Sequence, residues 1–137
     1  MKNLLILGAG TAGTMMANHL VSNLPKKEWK ITVIDQYKTH YYQPGFLFLP
    51  FDIYTTKQVK KNGKKFIPKG VNYIQEKIEL IIPKENKVKL EKGNTLDYDI
   101  LIVATGTKIA PDETEGMNGP EWYKSIFDFY NFEKTYL

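Results

Sequence analysis

Lys2-Asn3-Leu4-Leu5-Ile6-Leu7-Gly8-Ala9-Gly10-Thr11-Ala12-Gly13-Thr14 stands at the head of the chain, and its reading decides the fold. Lys2 to Leu7 is a short apolar run that ends in glycines, the pattern of a buried strand. Thr11 to Leu24 reads as a helix, with Ala12, Met15, Met16, Ala17 and Leu20 on its apolar side and Pro25 as its stop. Lys30 to Asp35 is β-branched and short, a second strand. Strand, helix and strand at these lengths make a βαβ unit, which requires parallel pairing and a right-handed crossover.

Gly8-Ala9-Gly10-Thr11-Ala12-Gly13 has the form G-x-G-x-x-G. The pattern is weak alone, but here it follows a strand and opens a helix. Gly8 allows a tight turn, Gly10 leaves room for a pyrophosphate against the backbone, and Gly13 lets helix and strand pack closely. Unpaired N–H groups at the helix start, aided by the helix dipole, suit negative phosphates. Asp35 closes the second strand about 20 residues further on, where a carboxylate accepts hydrogen bonds from adenosine ribose hydroxyls. A carboxylate there also repels a 2′-phosphate, which argues against NADP. These features do not choose between NAD and FAD.

Working outward, His40 to Phe51 is aromatic-rich, with a turn expected at Pro44-Gly45. Lys57, Lys60, Lys61, Lys64, Lys65 and Lys69 follow in close order. Val71 to Gln75 with Lys77 to Ile82, then Lys87 to Leu90, then Thr95 to Tyr98, read as a small antiparallel meander within about residues 71–98. Asp99 to Ala104 is expected as a third buried strand, ended by Thr105-Gly106. A Pro/Gly-rich loop to Pro120 and a polar-aromatic tail to Leu137 complete the chain, so residues 1–110 read as one α/β unit and 111–137 as a linker or tail. Asp112, Glu113 and Glu115 read as a solvated acidic loop.

Composition narrows the function classes. The chain has 137 residues, 42% hydrophobic and 13% aromatic, enough for one sizeable core. The longest apolar run is far short of the ~20 residues of a membrane-spanning helix. The N-terminus makes a poor secretory signal, and the expected location is cytoplasmic. With no cysteine and only His19 and His40, a metal site and thiol chemistry are not expected within this stretch. The net charge is +4 and every basic residue is lysine. Without arginine there is no bidentate reader of phosphate or guanine, so no nucleic-acid partner is expected. The lysine cluster reads first as a solvated loop and second as a surface attracted to an anionic membrane.

Ile102-Val103-Ala104-Thr105-Gly106, preceded by Leu96-Asp97-Tyr98-Asp99, resembles the Ala-Thr-Gly segment of flavoproteins with two dinucleotide-binding domains. That resemblance implies a Rossmann-like FAD-binding parallel sheet with a small antiparallel β meander, and FAD rather than NAD. Leu5 to Thr14, Tyr41-Tyr42-Gln43-Pro44-Gly45-Phe46-Leu47-Phe48 and Ala104-Thr105-Gly106-Thr107-Lys108-Ile109-Ala110-Pro111 together resemble sulfide:quinone oxidoreductases and their relatives, the type II NADH dehydrogenases. Ser125 to Tyr130 has the same look.

The resemblance implies electron transfer from sulfide to a membrane quinone through FAD, with sulfide and quinone as partners of the full-length enzyme. It places Thr11 and Ala12 at the pyrophosphate, the Lys77-Ile78 backbone near adenine, and Pro44 and Gly45 near the flavin ring. The candidate cofactor-binding set is Gly8, Gly10, Thr11, Ala12, Gly13, Asp35, Gln36, Pro44, Gly45, Ile78, Ala104, Thr105 and Gly106, with no catalytic residue and no metal ligand.

Two departures matter. The family's sulfide chemistry uses cysteines near the flavin, and one such position falls at Phe127. No glycine here is followed by aspartate and there is no second triple-glycine pattern. The chain is therefore expected to be the N-terminal portion of a larger flavoprotein, inactive alone. Apolar surface left uncovered would favour a homo-oligomer or a partner. Two other readings stay open: a non-catalytic dinucleotide-binding module, and an interaction domain that engages a membrane surface or partner peripherally through its aromatic loop and lysines.

Overall fold

The computed structural model describes Met1–Thr135; Tyr136 and Leu137, the end of the expected tail, lie outside the described residues. The chain forms two compact units. Met1–His40 joins Asn62–Gly106 in the first, and Tyr41–Lys61 joins the chain from Thr107 onward in the second. The segment with the two prolines and the tail therefore belong together. The first unit runs to Gly106.

In chain order the elements are β1 (Lys2–Leu7), α1 (Thr11–Asn23), β2 (Trp29–Asp35), β3 (Thr39–Tyr41), α2 (Thr56–Val59), β4 (Lys60–Asn62), β5 (Asn72–Gln75), β6 (Ile78–Ile82), β7 (Lys87–Leu90), β8 (Thr95–Asp97), β9 (Ile100–Val103) and α3 (Phe132–Thr135). Short 3-10 turns cover Gln43–Phe51, Gly63–Phe66, Pro83–Glu85 and Pro111–Glu113. The fold is α/β, with a four-stranded parallel sheet in the order β5-β2-β1-β9 and a three-stranded antiparallel sheet in the order β6-β7-β8. A β3-β4 ribbon completes the strand pairings.

The parallel sheet is buried on both faces, because alternate residues of a strand point to opposite sides. Leu4 and Ile6 of β1, with Ile31 and Val33 of β2, pack against Ala17, Met16, Leu20 and Val21 of α1. Leu5, Leu7 and Ile34 pack on the other face against Val88, Leu90, Ile78 and Ile81 of the antiparallel sheet. The near-continuous apolar sequence of β1 follows directly from this double cover. Parallel pairing of β1 with β2 runs from Lys2 opposite Trp29 to Leu7 opposite Ile34, so both strands end together beneath the glycine turn.

Three expectations are corrected. Val71 to Gln75 does not open the meander: β5 pairs parallel with β2, Thr32 opposite Asn72 through Asp35 opposite Gln75. The open edge of β2 takes this strand, and the break at Glu76–Lys77 releases the chain to the antiparallel sheet. The strand after Asp99 is not fully buried either, since β9 has no neighbour on its outer side among the described residues. Ile100 is 44% and Val103 60% exposed. On α1, Met15 is 66% exposed. The inward face is Gly13, Ala17 and Leu20 with Met16, and Met15 lies about 100° off that stripe.

The lysine cluster is not one loop. It runs through α2, β4 and the Gly63–Phe66 turn to Lys69 in the turn beyond, and all six side chains are exposed. In the second unit, Phe46, Leu49 and Val59 form a small core with Tyr41, Tyr54 and Phe132 around it. The Tyr41, Phe46 and Phe132 rings meet pairwise with centroids 5.2 to 5.9 Å apart. A capping box at Thr55 and Gln58 starts α2.

Two glycines are fixed by the fold itself, Gly13 by packing and Gly8 by packing together with its positive φ. A Cβ on Gly13 would collide with the Gly8 carbonyl. Gly8 has φ +98°, and a Cβ there would strike the Ala104 carbonyl. A Cβ on Gly10 would meet no atom of the described residues within 4 Å, and its φ is an ordinary −71°. Gly13→Ala and Gly8→Ala are expected to lose at least about 2 kcal/mol in urea unfolding, while Gly10→Ala stays within about 0.5 kcal/mol of wild type.

Candidate dinucleotide site

The turn from β1 to α1 is held by hydrogen bonds on every side. Gly8 N–H donates to Ile34 O (2.7 Å), and Ala104 N–H donates to Leu7 O (2.7 Å). The ends of β1, β2 and β9 thus converge on one turn. Gly8, Gly10, Gly13, Asp35, Ala104 and Thr105 lie around that turn.

At the helix start, Gly10 is the N-cap and offers no side chain to the orphan amides. No acidic residue occupies the first turn. Thr14 N–H closes the first helical bond to Gly10 O at 3.0 Å. The amides of Thr11, Ala12 and Gly13 therefore present unpaired donors at the positive end of the helix dipole. Thr11 and Ala12 are exposed. Thr14, buried, turns its hydroxyl inward and donates to Gly10 O (2.8 Å).

Asp35 is half-buried at the tip of β2. Its Oδ2 accepts the Ala9 N–H at 2.5 Å and its Oδ1 accepts the Tyr37 N–H at 2.7 Å. A carboxylate has about four lone-pair sites, so acceptor capacity remains on both oxygens. The residue read as a ribose acceptor is also a brace for the glycine turn. Glu76 N–H donates to Asp35 O (3.0 Å), which ties the exit of β5 to the same corner. Tyr73 on β5 has its phenol raised above its usual 10.0, mainly by burial and then by the charge of Asp35. Gln36 is exposed beside Asp35.

The remaining candidates fall elsewhere. Gly106 follows β9 with φ +78° and open space around it, so its backbone conformation is what calls for glycine. Ile78 is half-buried at the start of β6, in the core between the two sheets. Pro44 and Gly45 lie in the second unit, where Pro44 is the second residue of the 3-10 turn. Gly45 has a packing reason of its own: a Cβ would come within 2.5 Å of Val59 and 3.1 Å of Tyr54.

One contact escaped the sequence reading. His40 Nδ1 lies 3.0 Å from Ala9 O, and its ring packs on Phe66 with centroids 4.5 Å apart. Nothing in the sequence signals this, because the pair is brought together only by the return of the chain at the end of β2.

The second unit holds a cleft of about 390 Å³ lined by Leu49, Pro50, Asp52, Phe127, Asp128, Phe129, Lys134 and Thr135. Phe127 is half-exposed on its wall. Asp128 accepts from the Tyr123 hydroxyl (2.5 Å) and from the Tyr130 and Asn131 amides (2.7 and 2.9 Å). Burial disfavours its charged form, but these hydrogen bonds outweigh that and hold the carboxyl below the ordinary range. No group of His, Asp and Glu among the described residues could hold a metal ion, and no helix there is long and apolar enough to cross a membrane.

Residues 2–132 match the family described as pyridine nucleotide-disulphide oxidoreductase. The mitochondrial sulfide:quinone oxidoreductase of Dictyostelium discoideum is 30% identical over 136 residues, covering 97% of this chain and 30% of that protein. A type II NADH:quinone oxidoreductase of Staphylococcus haemolyticus is 34% identical over 139 residues, covering 96% of this chain and 32% of that protein. The chain thus spans about a third of the length of these relatives. Among solved structures, the sulfide:quinone oxidoreductase of Aquifex aeolicus shares the fold, with a TM-score of 0.79 at 23% identity over 99% of this chain and 30% of that one.

The Tyr123–Asp128 pair gives a pH prediction. The hydrogen bond to Asp128, then burial, then the carboxylate's charge push the Tyr123 phenol up to about 12. A raised folded pKa stabilises below the unfolded value near 10 and is lost as pH rises through about 12. Ultraviolet titration is expected to show one tyrosine ionising last, near pH 12, and Asp128→Asn is expected to return it toward 10.

Proposed function

The chain belongs to the pyridine nucleotide-disulphide oxidoreductase family, which implies a flavin or nucleotide cofactor, and we propose that it grips the ADP half of FAD at the β1–α1 turn. One observation carries this reading. Gly8 and Gly13 are glycines because of close packing and, for Gly8, a positive φ, but Gly10 has an unstrained backbone and free space around it among the described residues. A methyl group there would touch nothing among the described residues, and a bare backbone at that position suits close approach by a group from outside. The amides of Thr11, Ala12 and Gly13 beside it are donors suited to a diphosphate.

Within this reading Asp35 uses its remaining lone pairs for the ribose hydroxyls, with Gln36 beside it. Ala104, Thr105 and Gly106 run along the dinucleotide where β9 ends, and the backbone at Ile78 is assigned to the adenine end. Pro44 and Gly45 are assigned to the flavin ring. FAD, when bound, supplies the two-electron chemistry. This chain's residues bind it and orient it, and none is assigned a proton transfer.

The activity proposed for the whole enzyme is electron transfer from sulfide to a quinone. It is supported by the similarity to sulfide:quinone oxidoreductases and by the Tyr41–Phe48 stretch. A type II NADH:quinone oxidoreductase is the second reading. It is favoured by the 34% identity to the staphylococcal enzyme and by Phe127 at a position where cysteine is expected for sulfide chemistry. Peripheral attachment to a membrane surface accompanies either reading.

The test separates binding from folding. The 137-residue chain is expected to bind ADP and FAD in calorimetric titration. Gly10→Ala is expected to weaken both by at least about tenfold, with its urea midpoint unchanged. Wild-type affinity in Gly10→Ala overturns the assignment.

A further inference from the structure

Ala9 is the pivot of the turn, and both of its backbone groups are held by side chains. Its N–H is taken by Asp35 Oδ2 at 2.5 Å, and its carbonyl lies 3.0 Å from His40 Nδ1. A carbonyl oxygen can only accept, so Nδ1 carries a proton, and a neutral His40 is the Nδ1–H tautomer. The ring is set for this bond by its neighbours. Phe66 stacks against it at 4.5 Å and 38°. Gly63 N–H donates to Lys38 O (2.8 Å), and a Cβ on Gly63 would come within 3.8 Å of His40 Cβ, so the chain passes closely behind the histidine.

The Ala9–Gly10 peptide is trans, so its N–H points opposite to its C=O. Fixing the Ala9 carbonyl on His40 therefore fixes the Gly10 N–H in the opposing direction, away from the imidazole. No acceptor among the described residues takes that N–H. It stands next to the amides of Thr11, Ala12 and Gly13 at the head of α1. Asp35 acts on the preceding peptide in the same way. Its grip on the Ala9 N–H leaves the Gly8 carbonyl turned to the opposite side, toward Gly13.

We propose that His40 is a positioning residue for anion binding: by holding the Ala9 carbonyl it pre-orients the Gly10 amide toward a diphosphate. This rests on the dinucleotide reading of the turn, and it adds a donor and a residue to it. The role belongs to the N–H of the ring and not to its aromatic surface. Phenylalanine keeps the stack on Phe66 and removes the donor, whereas the amide nitrogen of asparagine reaches about as far as Nδ1.

The test uses the 137-residue chain with ADP as probe. Nitrogen-15 spectra of the side chain in its neutral form are expected to show the Nδ1–H tautomer of His40. His40→Phe is expected to weaken ADP binding by about tenfold, with the Gly10 amide resonance broadened in the free protein. His40→Asn is expected to restore affinity to within about threefold of wild type. The Nε2–H tautomer overturns the proposal, even if His40→Phe fails to fold. So does a folded His40→Phe chain that binds ADP as wild type does. A wild-type chain that binds no ADP overturns the dinucleotide reading and, with it, the anion role of His40.

Discussion

The first turn of α1 sits so close to the end of β1 that no atom can be added between them. Gly13 faces the Gly8 carbonyl where even a methyl group has no room, and Gly8 faces the Ala104 carbonyl in the same way. This approach sets the angle at which α1 crosses the sheet. It brings Ala17 and Leu20 down onto Leu4, Ile6, Ile31 and Val33, and it aims the helix's uncapped amides past the strand ends. Interiors are packed densely enough that such a contact is not absorbed by small shifts elsewhere. The apolar layers and the donor array therefore share one geometric cause.

The turn is also braced by polar groups whose partners are all main-chain. Asp35, His40 and Thr14 each bond to backbone atoms of residues 9–11 or 37. A loop fixed by its own backbone's partners keeps its donors pointed before any ligand arrives, which lowers the ordering cost of binding. Asp35 then has two tasks with one carboxylate, bracing the turn and keeping acceptor sites free. Its removal would disturb the loop as well as any ribose contact, so Gly10 is the cleaner probe of the site.

Much of this was legible in the residues and some was not. The β1–α1–β2 unit followed from a short apolar run, a glycine turn, a helix stopped by Pro25 and a β-branched run, each a local signal. The parallel pairing of β5 was not legible, because Val71 to Gln75 carries the same short strand pattern whichever sheet it joins. Tertiary pairing with the open edge of β2 decided it. The exposure of β9 was hidden for a similar reason. Ile100-Leu101-Ile102-Val103 reads as a buried run, yet Val103 is open because no strand lies beyond it among the described residues. Within the site, the glycine spacing and Asp35 could be read from sequence. The His40–Ala9 bond could not, since 31 residues separate its partners and no motif joins them. Gly45 shows the converse. It reads as a cofactor glycine, and its surroundings in the second unit also demand glycine for packing.

Backbone amides at the head of α1, oriented in advance, are proposed as the seat of a dinucleotide's diphosphate. The most direct measurement is a residue-by-residue amide spectrum of the 137-residue chain titrated with ADP. Saturable shifts that are largest at Gly10, Thr11, Ala12 and Gly13, with smaller ones at Asp35 and Gln36, are the predicted result. Shifts that saturate elsewhere and leave those four amides unmoved would contradict it.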